Sequence, residues 1–190
     1  CKDAVLATAA IIVAAQQAVS RHCPPGMPSV LSFGRVEALG ATNVLPNSVS
    51  VQGTFRSLGE QWRSTAHDVI SDLIHSTAEA HGCKAELDIR HGYPHVHNDV
   101  NLATRFKEAA VDYLGKDRVH DLDIRMTGED FSHFSNAVPG CFYRLGTASP
   151  DPDNDLGTHG LHTPQFDIDE DALKTGAGLM AYAAATVNRD

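Results

Sequence analysis

The feature that most constrains the fold is a change of hydrophobic period between two adjacent segments. From Ser48 to Ser57, apolar and polar side chains alternate, which predicts a half-buried strand. From Glu60 to His81, the apolar residues instead recur at helical spacing, which predicts a long amphipathic helix that ends at Gly82. A strand that leads directly into such a helix predicts a layer of helix packed on sheet.

Three further segments complete the first region. Asp3 is a candidate N-cap for a helix that runs to about Arg21, while Ser29–Ala38 and Ala85–Ile89 have the pattern of strands. The order α-β-β-α-β matches a ferredoxin-like βαββαβ sandwich without its first strand. Because that strand is central in the sandwich, its loss would leave two sheet edges unpaired. We therefore expect the natural chain to begin upstream of Cys1.

The second region alternates helix and strand, which predicts an α/β layer structure. A turn-rich link, His91–Asp99, separates the two regions, and we place the domain boundary between residues 92 and 93. Asp167 and Glu170 have the spacing of a capping box for the last helix. The predicted helices are Val100–Leu114, Glu129–Ser135 and Asp169–Val187, and the predicted strands are Val119–Arg125 and Cys141–Leu145.

Composition excludes several classes of function. A formal net charge of −9 argues against nucleic acid and anionic membrane as partners. No apolar run approaches the roughly 20 residues that span a bilayer. The four cysteines are widely spaced, with no C-x-x-C pair, which favours reduced structural thiols in a cytoplasmic protein. The sequence has no G-x-S-x-G elbow and no phosphate-binding glycine-rich loop.

His162 is a candidate metal ligand. It lies in Gly160–Glu170, a loop that leads into the Ala-rich last helix, and such a setting can hold a neutral imidazole on a defined backbone. His159, three residues earlier, could share the same ion. The simpler alternative is a polar surface histidine.

Glu129 is a candidate for a role in a cleft. It lies in Met126–Phe134, at the start of a predicted helix, where acidic side chains complement the helix macrodipole. One interpretation is a carboxylate directed into a cleft. The alternative is helix capping by Thr127 and the neighbouring acids.

Asn43 and Arg56 are candidates for binding a carboxylate. Asn43 lies in the loop Ala41–Pro46, and Arg56 lies on the polar face of the following strand. An amide and a planar guanidinium can together bind a carboxylate group. A turn asparagine and a solvated strand arginine are the commoner case.

His91, His95 and His97, with Asp99, form a histidine-rich link. The H-x-H pattern places two imidazoles on one face of an extended segment, which could bind a transition metal. The alternative is an exposed histidine-rich linker.

Taken together, these motifs resemble one family over essentially the whole chain. The chain is similar to the dinuclear metal amidohydrolases that include aminoacylases, hippurate hydrolases, indole-acetyl-amino-acid hydrolases and related carboxypeptidases. The ordered motifs that produce the resemblance are Gln16–Arg21, Gly40–Pro46, Gly53–Arg56, Gly128–Phe131, Pro139–Gly140 with Leu145–Gly146, and Leu161–Pro164 with Asp169–Glu170.

The resemblance implies a fold and a role for each candidate residue. Residues 1–92 correspond to a ferredoxin-like lid that forms a homodimer, and residues 93–190 to the C-terminal part of an α/β zinc-peptidase-like catalytic domain. His162 matches the last metal ligand. Asn43 and Arg56 match lid residues that hold the substrate carboxylate from across the dimer, and Glu129 borders the cleft in a supporting role. The other metal ligands and the acid–base glutamate belong upstream of Cys1, so no catalytic residue is assigned here.

The implied reaction is hydrolysis of the amide bond of an N-acyl amino acid or a small peptide-like substrate. It would use two divalent ions per complete site, with zinc first and manganese, cobalt or nickel as alternatives. This chain alone is expected to be inactive. Two competing hypotheses are a non-catalytic dimerisation or binding module derived from such an enzyme, and a small metal-binding protein that uses His91, His95 and His97.

Overall fold

The computed structural model describes residues 2–187, which form two compact units. The first unit comprises the chain as far as His95 together with Ile124–Asp130. The second comprises Val96–Asp123 and the chain from Phe131 onward. The segment Ile124–Asp130, which sequence analysis assigned to the second domain, thus belongs to the first unit. The assignment of residues 1–92 and 93–190 as lid and catalytic domains stays a prediction.

Two helices and a two-stranded sheet build the first unit. Helix α1 spans Ala4–Ala15 and is followed by a π-helical segment, Ala18–His22. Strand β1, Ser29–Glu37, pairs antiparallel with β2, Ser50–Ser57, with an irregularity between Phe33 and Arg35. Helix α2 spans Glu60–Ala80. These boundaries agree closely with the predicted ones.

The core of the first unit lies on one face of α2. Trp62, Ala66, Ile70 and Ile74 are buried there, and Leu31 and Phe55 of the sheet pack against them. The spacing of the four α2 residues is the helical one that the sequence indicated. Their burial fixes α2 on the apolar face of the sheet and leaves its opposite face polar.

The start of α1 and the end of α2 are each determined by a local interaction. The Asp3 carboxylate accepts hydrogen bonds from the N–H groups of Val5 and Leu6, at 3.0 and 2.9 Å, which confirms the predicted N-cap of α1. At the end of α2, Gly82 has φ 68° and its N–H donates to Glu79 O at 2.8 Å. Since that backbone conformation favours glycine, Gly82 ends the helix as predicted.

The second unit is mainly helical. Helix α3, Val100–Leu114, begins at Asp99, whose carboxylate accepts from Leu102 N–H at 2.8 Å. A 3₁₀ turn, Lys116–Arg118, follows. Helix α4 spans Ser132–Ala137 and α5 spans Asp171–Thr186. Ala109 of α3 packs with Ala183 and Val187 at the end of α5. The mixture of helix and sheet confirms the predicted α/β class.

The predicted strand Ala85–Ile89 does not form within the part of the chain that the structure describes. Its side chains alternate only in part: Ala85 and Ile89 are half-buried and Glu86 and Asp88 exposed, but Leu87, which the pattern predicted on the buried face, is exposed. Alternation reports one-sided burial, whereas a strand also needs a neighbour for its backbone hydrogen bonds. Among the described residues, β1 and β2 form the sheet and neither pairs with this segment.

The predicted strand Cys141–Leu145 is also wrong, for a different reason. The side-chain amide of Asn98 makes hydrogen bonds with both backbone groups of Phe142. It accepts from the N–H at 2.8 Å and donates to the C=O at 2.9 Å. Phe142 thereby satisfies its backbone without a neighbouring strand. The predicted strand Val119–Arg125 does not form either, and its Leu122 and Ile124 are exposed.

The start of α5 differs from the predicted capping box. The Asp169 carboxylate accepts from Asp171 N–H at 3.0 Å, while that of Asp167 accepts from Ile168 N–H at 2.8 Å. Glu170, at the N-cap position, makes no side-chain capping bond. Four acids close together compete for the same N–H groups, and Asp169 has the favourable local geometry.

One helical stretch meets the length and hydropathy of a membrane-spanning helix, contrary to the sequence analysis. Ala4–His22 has 19 residues, and its apolar window has a mean hydropathy of 1.4 with 22% of the window buried. Helices in protein cores can meet the same criteria. Ala18 is fully buried against α2, so small-residue packing within the unit accounts for part of this low polarity.

Candidate functional site

Arg56 lies near the end of β2, opposite Val30 of β1. Its side chain is on the face of the sheet that is exposed, away from the Phe55 ring that packs on α2. Guanidinium Nη1 donates to the main-chain oxygen of Met126 at 3.1 Å. Both residues belong to the first unit, so this bond fixes the segment around Met126 beside β2.

Glu129 lies in the segment that Arg56 holds. Gly128 is so close that a Cβ built there would be 3.5 Å from Arg56 Nη1. Glu129 is half-buried and precedes α4, which begins at Ser132 rather than at the predicted Glu129. The helix has no side-chain cap, so capping by Thr127 and the acids is not what places Glu129. The structure therefore brings Arg56 and the Gly128–Glu129 segment together.

Asn43 lies at the tip of a tight turn. Ala41 and Val44 exchange two backbone hydrogen bonds, of 3.0 and 3.1 Å, so the Thr42–Asn43 pair protrudes. Gly40 allows the turn to close, because a Cβ there would come within 2.6 Å of Val44 O. Asn43 is exposed. Within residues 2–187, no hydrogen bond joins it to Arg56.

His162 has an uncommon backbone conformation. Its φ is 66°, and among the described residues no other non-glycine residue has a positive φ. The loop around it is held by Thr163, whose hydroxyl donates to Gly160 O at 2.8 Å and whose carbonyl accepts from Phe166 N–H at 3.1 Å. The His162 side chain is exposed, in the second unit. Such strain in a non-glycine residue is concentrated at functional sites, although it does not define one.

The described residues do not assemble a complete metal centre. Within residues 2–187, no group of three or more His, Cys, Asp or Glu side chains is placed to hold an ion. His162 supplies one imidazole, and His159 is exposed nearby in the same loop. Structural and catalytic zinc sites take at least three protein ligands, so the described donors do not fit a whole site.

The three linker histidines do not converge on one ion. The ring of His91 lies against that of His67, with centroids 4.7 Å apart and planes at 73°. The ring of His95 instead faces Glu60, with Nδ1 3.4 Å from a carboxylate oxygen. The His97 N–H donates to Ser135 Oγ at 3.4 Å, within the second unit. These contacts do not support the linker metal site, and those of His91 and His95 indicate that this part of the link is held by α2.

Glu60 and Arg63, which sequence analysis did not single out, contact this segment from the start of α2. They form an ion pair of 2.5 Å at i, i+3 spacing. Burial raises the pKa of Glu60, but the hydrogen bond from His95 N–H and the charge of Arg63 outweigh it, so the net pKa is lowered. The pKa of His67 is also lowered, first by burial and then by the charges of His91 and Arg63. In the sequence, the signal for this contact was the pair Glu60 and Arg63, which have opposite charges at i, i+3 spacing on the polar side of α2.

The three described cysteines are free thiols. Cys23, Cys83 and Cys141 are each half-buried, while Cys1 lies outside the described residues. Burial raises the pKa of the Cys141 thiol. A thiol of raised pKa is mostly protonated at neutral pH, which weakens it as a nucleophile.

Comparison with known proteins identifies related chains. The Synechocystis protein named "Probable hydrolase sll0100" is 34% identical over 183 residues, covering 96% of this chain and 46% of that protein. IAA-amino acid hydrolase ILR1-like 2 of Arabidopsis thaliana is 31% identical, covering 96% of this chain and 41% of that protein. The chain thus spans about half the length of the curated relatives it matches.

A solved structure shares the fold. It is that of the Bacillus subtilis YXEP protein, described as a dinuclear metal binding peptidase from M20 family. It superposes with a TM-score of 0.65 at 24% identity, covering 96% of this chain and 45% of that one. The family model that matches, over residues 4–186, is Peptidase family M20/M25/M40. Because the match includes both compact units, the chain belongs to peptidase family M20/M25/M40.

Proposed function

We propose that this chain works in a metal-dependent hydrolase that cleaves the amide bond of N-acyl amino acids or small peptide-like substrates. The observation that supports this most directly is the family match over residues 4–186. The names of relatives point the same way. They include an IAA-amino acid hydrolase of Arabidopsis thaliana and an N-acetyldiaminopimelate deacetylase of Enterococcus faecalis, 30% identical to this chain.

In this proposal, Arg56 and Asn43 bind the carboxylate of the substrate. A guanidinium has five N–H donors in a planar fork, and Met126 O takes one of those of Arg56. The fork can therefore keep this anchor and still offer a pair of donors to a carboxylate. The exposed amide of Asn43, at the tip of its turn, supplies a further donor. Glu129 supports this surface through the segment that Arg56 fixes.

His162 would be one ligand of a divalent metal pair, with zinc first and manganese, cobalt or nickel as alternatives. Its exposed imidazole lies on a strained, hydrogen-bonded loop, which limits the positions that the ring can adopt. When bound, such metals lower the pKa of water and polarise a carbonyl group. We expect the other ligands and the acid–base glutamate in the part of its relatives that this chain does not span.

A homodimer through the first unit is part of the same proposal. Helix α1 leaves Leu6 and Val13 58% and 72% exposed, on an element whose other face packs on α2. Apolar side chains of this size gain stability when a second surface covers them. Light scattering on the purified protein would show twice the chain mass for a dimer, and a monomer at micromolar concentration would contradict this part.

A second candidate is a non-catalytic dimerisation or binding module of the same family. One observation favours it: within residues 2–187, no three His, Cys, Asp or Glu side chains are placed together to hold an ion. In that case, the carboxylate-binding residues would be retained without hydrolysis.

One experiment separates the two. The protein is purified from its natural source, its intact mass is compared with 20.4 kDa, and its hydrolysis of a panel of N-acyl amino acids is measured with and without added zinc, manganese or cobalt. Metal-dependent release of the amino acid supports the hydrolase. Binding of N-acyl amino acids without turnover under any of these metals supports the module.

A further inference from the structure

One face of α2 follows the connecting segment, residues 91–95, step by step. Glu60, Arg63 and His67 are spaced by three and four positions and therefore lie along one side of the helix. Glu60 contacts His95, Arg63 contacts residues 92 and 93, and His67 contacts His91. The segment thus runs antiparallel to the helix. We call these three α2 residues the docking strip.

Arg63 is the centre of the docking strip. Its Nη1 donates to the main-chain oxygens of Gly92 and Tyr93, at 3.3 and 3.1 Å, while its Nη2 pairs with Glu60 at 2.5 Å. Its side chain is only 16% exposed. Residues 83–99 form neither helix nor strand, so these carbonyl groups have no ladder to join. A partly buried guanidinium satisfies them instead.

Glu60 secures the end of the segment. One carboxylate oxygen accepts from His95 N–H at 3.2 Å and lies 3.4 Å from the His95 ring nitrogen. His95 is the last residue of the first unit before the chain passes to the second. At the opposite end, the His67 ring lies between His91 and Phe55, with its centroid 6.4 Å from that of Phe55.

The docking strip differs in chemistry from the core of the unit, which it meets where the His67 ring lies beside Phe55. It consists of charged and imidazole groups, and Tyr93 of the bound segment is 55% exposed. The stability of α2 comes from its other face, where Trp62, Ala66 and Ile70 are buried. Polar contacts with little apolar burial open at lower free energy than a packed core.

We infer that Glu60, Arg63 and His67 act as a latch for residues 91–95, which opens and closes while the first unit stays folded. The latch determines whether the chain leaves the unit from a fixed point beside α2 or from a free arm that begins near Arg90. This role needs neither metal nor substrate, so it is independent of the proposed hydrolysis.

Amide hydrogen exchange of the whole chain, followed by mass spectrometry, tests the latch. In Arg63→Ala, peptides covering residues 91–95 should exchange at least on the order of tenfold faster at the amide of His95, which donates to Glu60, because the variant loses both charge-assisted hydrogen bonds to Gly92 and Tyr93. Peptides covering residues 70–78 should exchange as in the wild type. The control is Arg35→Ala, which removes another arginine paired with a nearby glutamate, in an exposed pair on β1.

Two results would overturn the inference. One is unchanged exchange at residues 91–95 in Arg63→Ala. The other is equal acceleration at residues 91–95 and 70–78, which would make Arg63 part of the global stability of the unit. A second variant, Glu60→Gln, keeps an acceptor for His95 N–H but removes the charge. It should accelerate exchange at residues 91–95 less than Arg63→Ala does, and an equal or larger effect would also contradict a latch centred on Arg63.

Discussion

Arg56 and Met126, 70 residues apart in sequence, are joined by a hydrogen bond of 3.1 Å from guanidinium Nη1 to the main-chain oxygen. This bond connects β2 to a segment of the first unit that lies between α3 and α4 in sequence. It also places the arginine that is proposed to bind substrate next to Gly128 and Glu129. The position of this side chain therefore has a defined anchor in the absence of substrate.

Replacing Arg56 should weaken substrate binding far more than metal binding. In the complete enzyme, Arg56→Ala removes the fork that is proposed to hold the substrate carboxylate, and loss of such a charged hydrogen bond costs about 1.5–3 kcal/mol. KM should rise by roughly 10- to 100-fold at that cost, with metal content unchanged. Steady-state kinetics and elemental analysis measure the two quantities.

A substrate analogue without the carboxylate is the control, since its KM should not change in Arg56→Ala. An unchanged KM for the N-acyl amino acid would refute this role.

Gly82→Ala should destabilise the first unit. Gly82 has φ 68°, and a Cβ there would meet only Lys2 Cγ, at 4.0 Å. The expected cost is therefore that of the backbone conformation, roughly 1 kcal/mol. Urea denaturation followed by circular dichroism measures it. Gly92→Ala is the matched control, because Gly92 has no positive φ and no atom within 4 Å of the added Cβ. Equal unfolding midpoints for the two variants would contradict the prediction.

His67 should make the stability of the first unit depend on pH. Burial, helped by the charges of His91 and Arg63 and opposed by those of Asp68 and Glu60, lowers its pKa below the ordinary 6.5. The unfolded chain then binds more protons than the folded one in the range between the two values. Stability is therefore complete above pH 6.5 and falls as the pH drops through 6.5 towards the folded pKa. Glu60, whose pKa is lowered from 4.5, adds a second loss only below that value.

Variants at two histidines of α2 test this pH dependence. In the wild type, the urea midpoint should fall between pH 7.5 and a pH below 6.5. In His67→Gln, this decrease should be smaller. His75→Gln should leave that fall in place, since His75 is exposed and its ring contacts Ser71 of the same helix. The hypothesis fails if both variants keep the wild-type slope.

The local features of this fold were predictable from the sequence, and the long-range contacts were not. The boundaries of β2 and α2 follow from a change of period, and Asp3 and Gly82 from the geometry of helix ends. The predicted strand at Cys141–Leu145 failed because Asn98, 44 residues away from Phe142, satisfies its backbone groups. No local pattern reports such a contact.

In the candidate site, too, the local positions of the residues were predictable and their long-range contacts were not. The sequence placed Asn43 in a turn and Arg56 on the exposed face of a strand, and the structure agrees. It did not indicate that Met126 would anchor Arg56, or that Glu60 would bind His95, since each contact joins segments that are distant in the chain. The histidine link was interpreted from its composition alone, whereas its structure depends on α2.

His162→Ala should lower the metal content of the complete enzyme. If His162 is a ligand, its loss leaves a site one donor short, and metal affinity should fall well beyond the roughly 10- to 100-fold that outer-shell changes cause. The measurement is metal content by elemental analysis after dialysis against a weak chelator, together with the urea midpoint. The midpoint of the metal-free variant should change little, because the His162 side chain is exposed and alanine has much the same positive-φ strain. His97→Ala is the control, a second histidine of the same unit whose backbone N–H donates to Ser135 Oγ. Equal metal content in both variants would remove His162 from the site and favour the non-catalytic module.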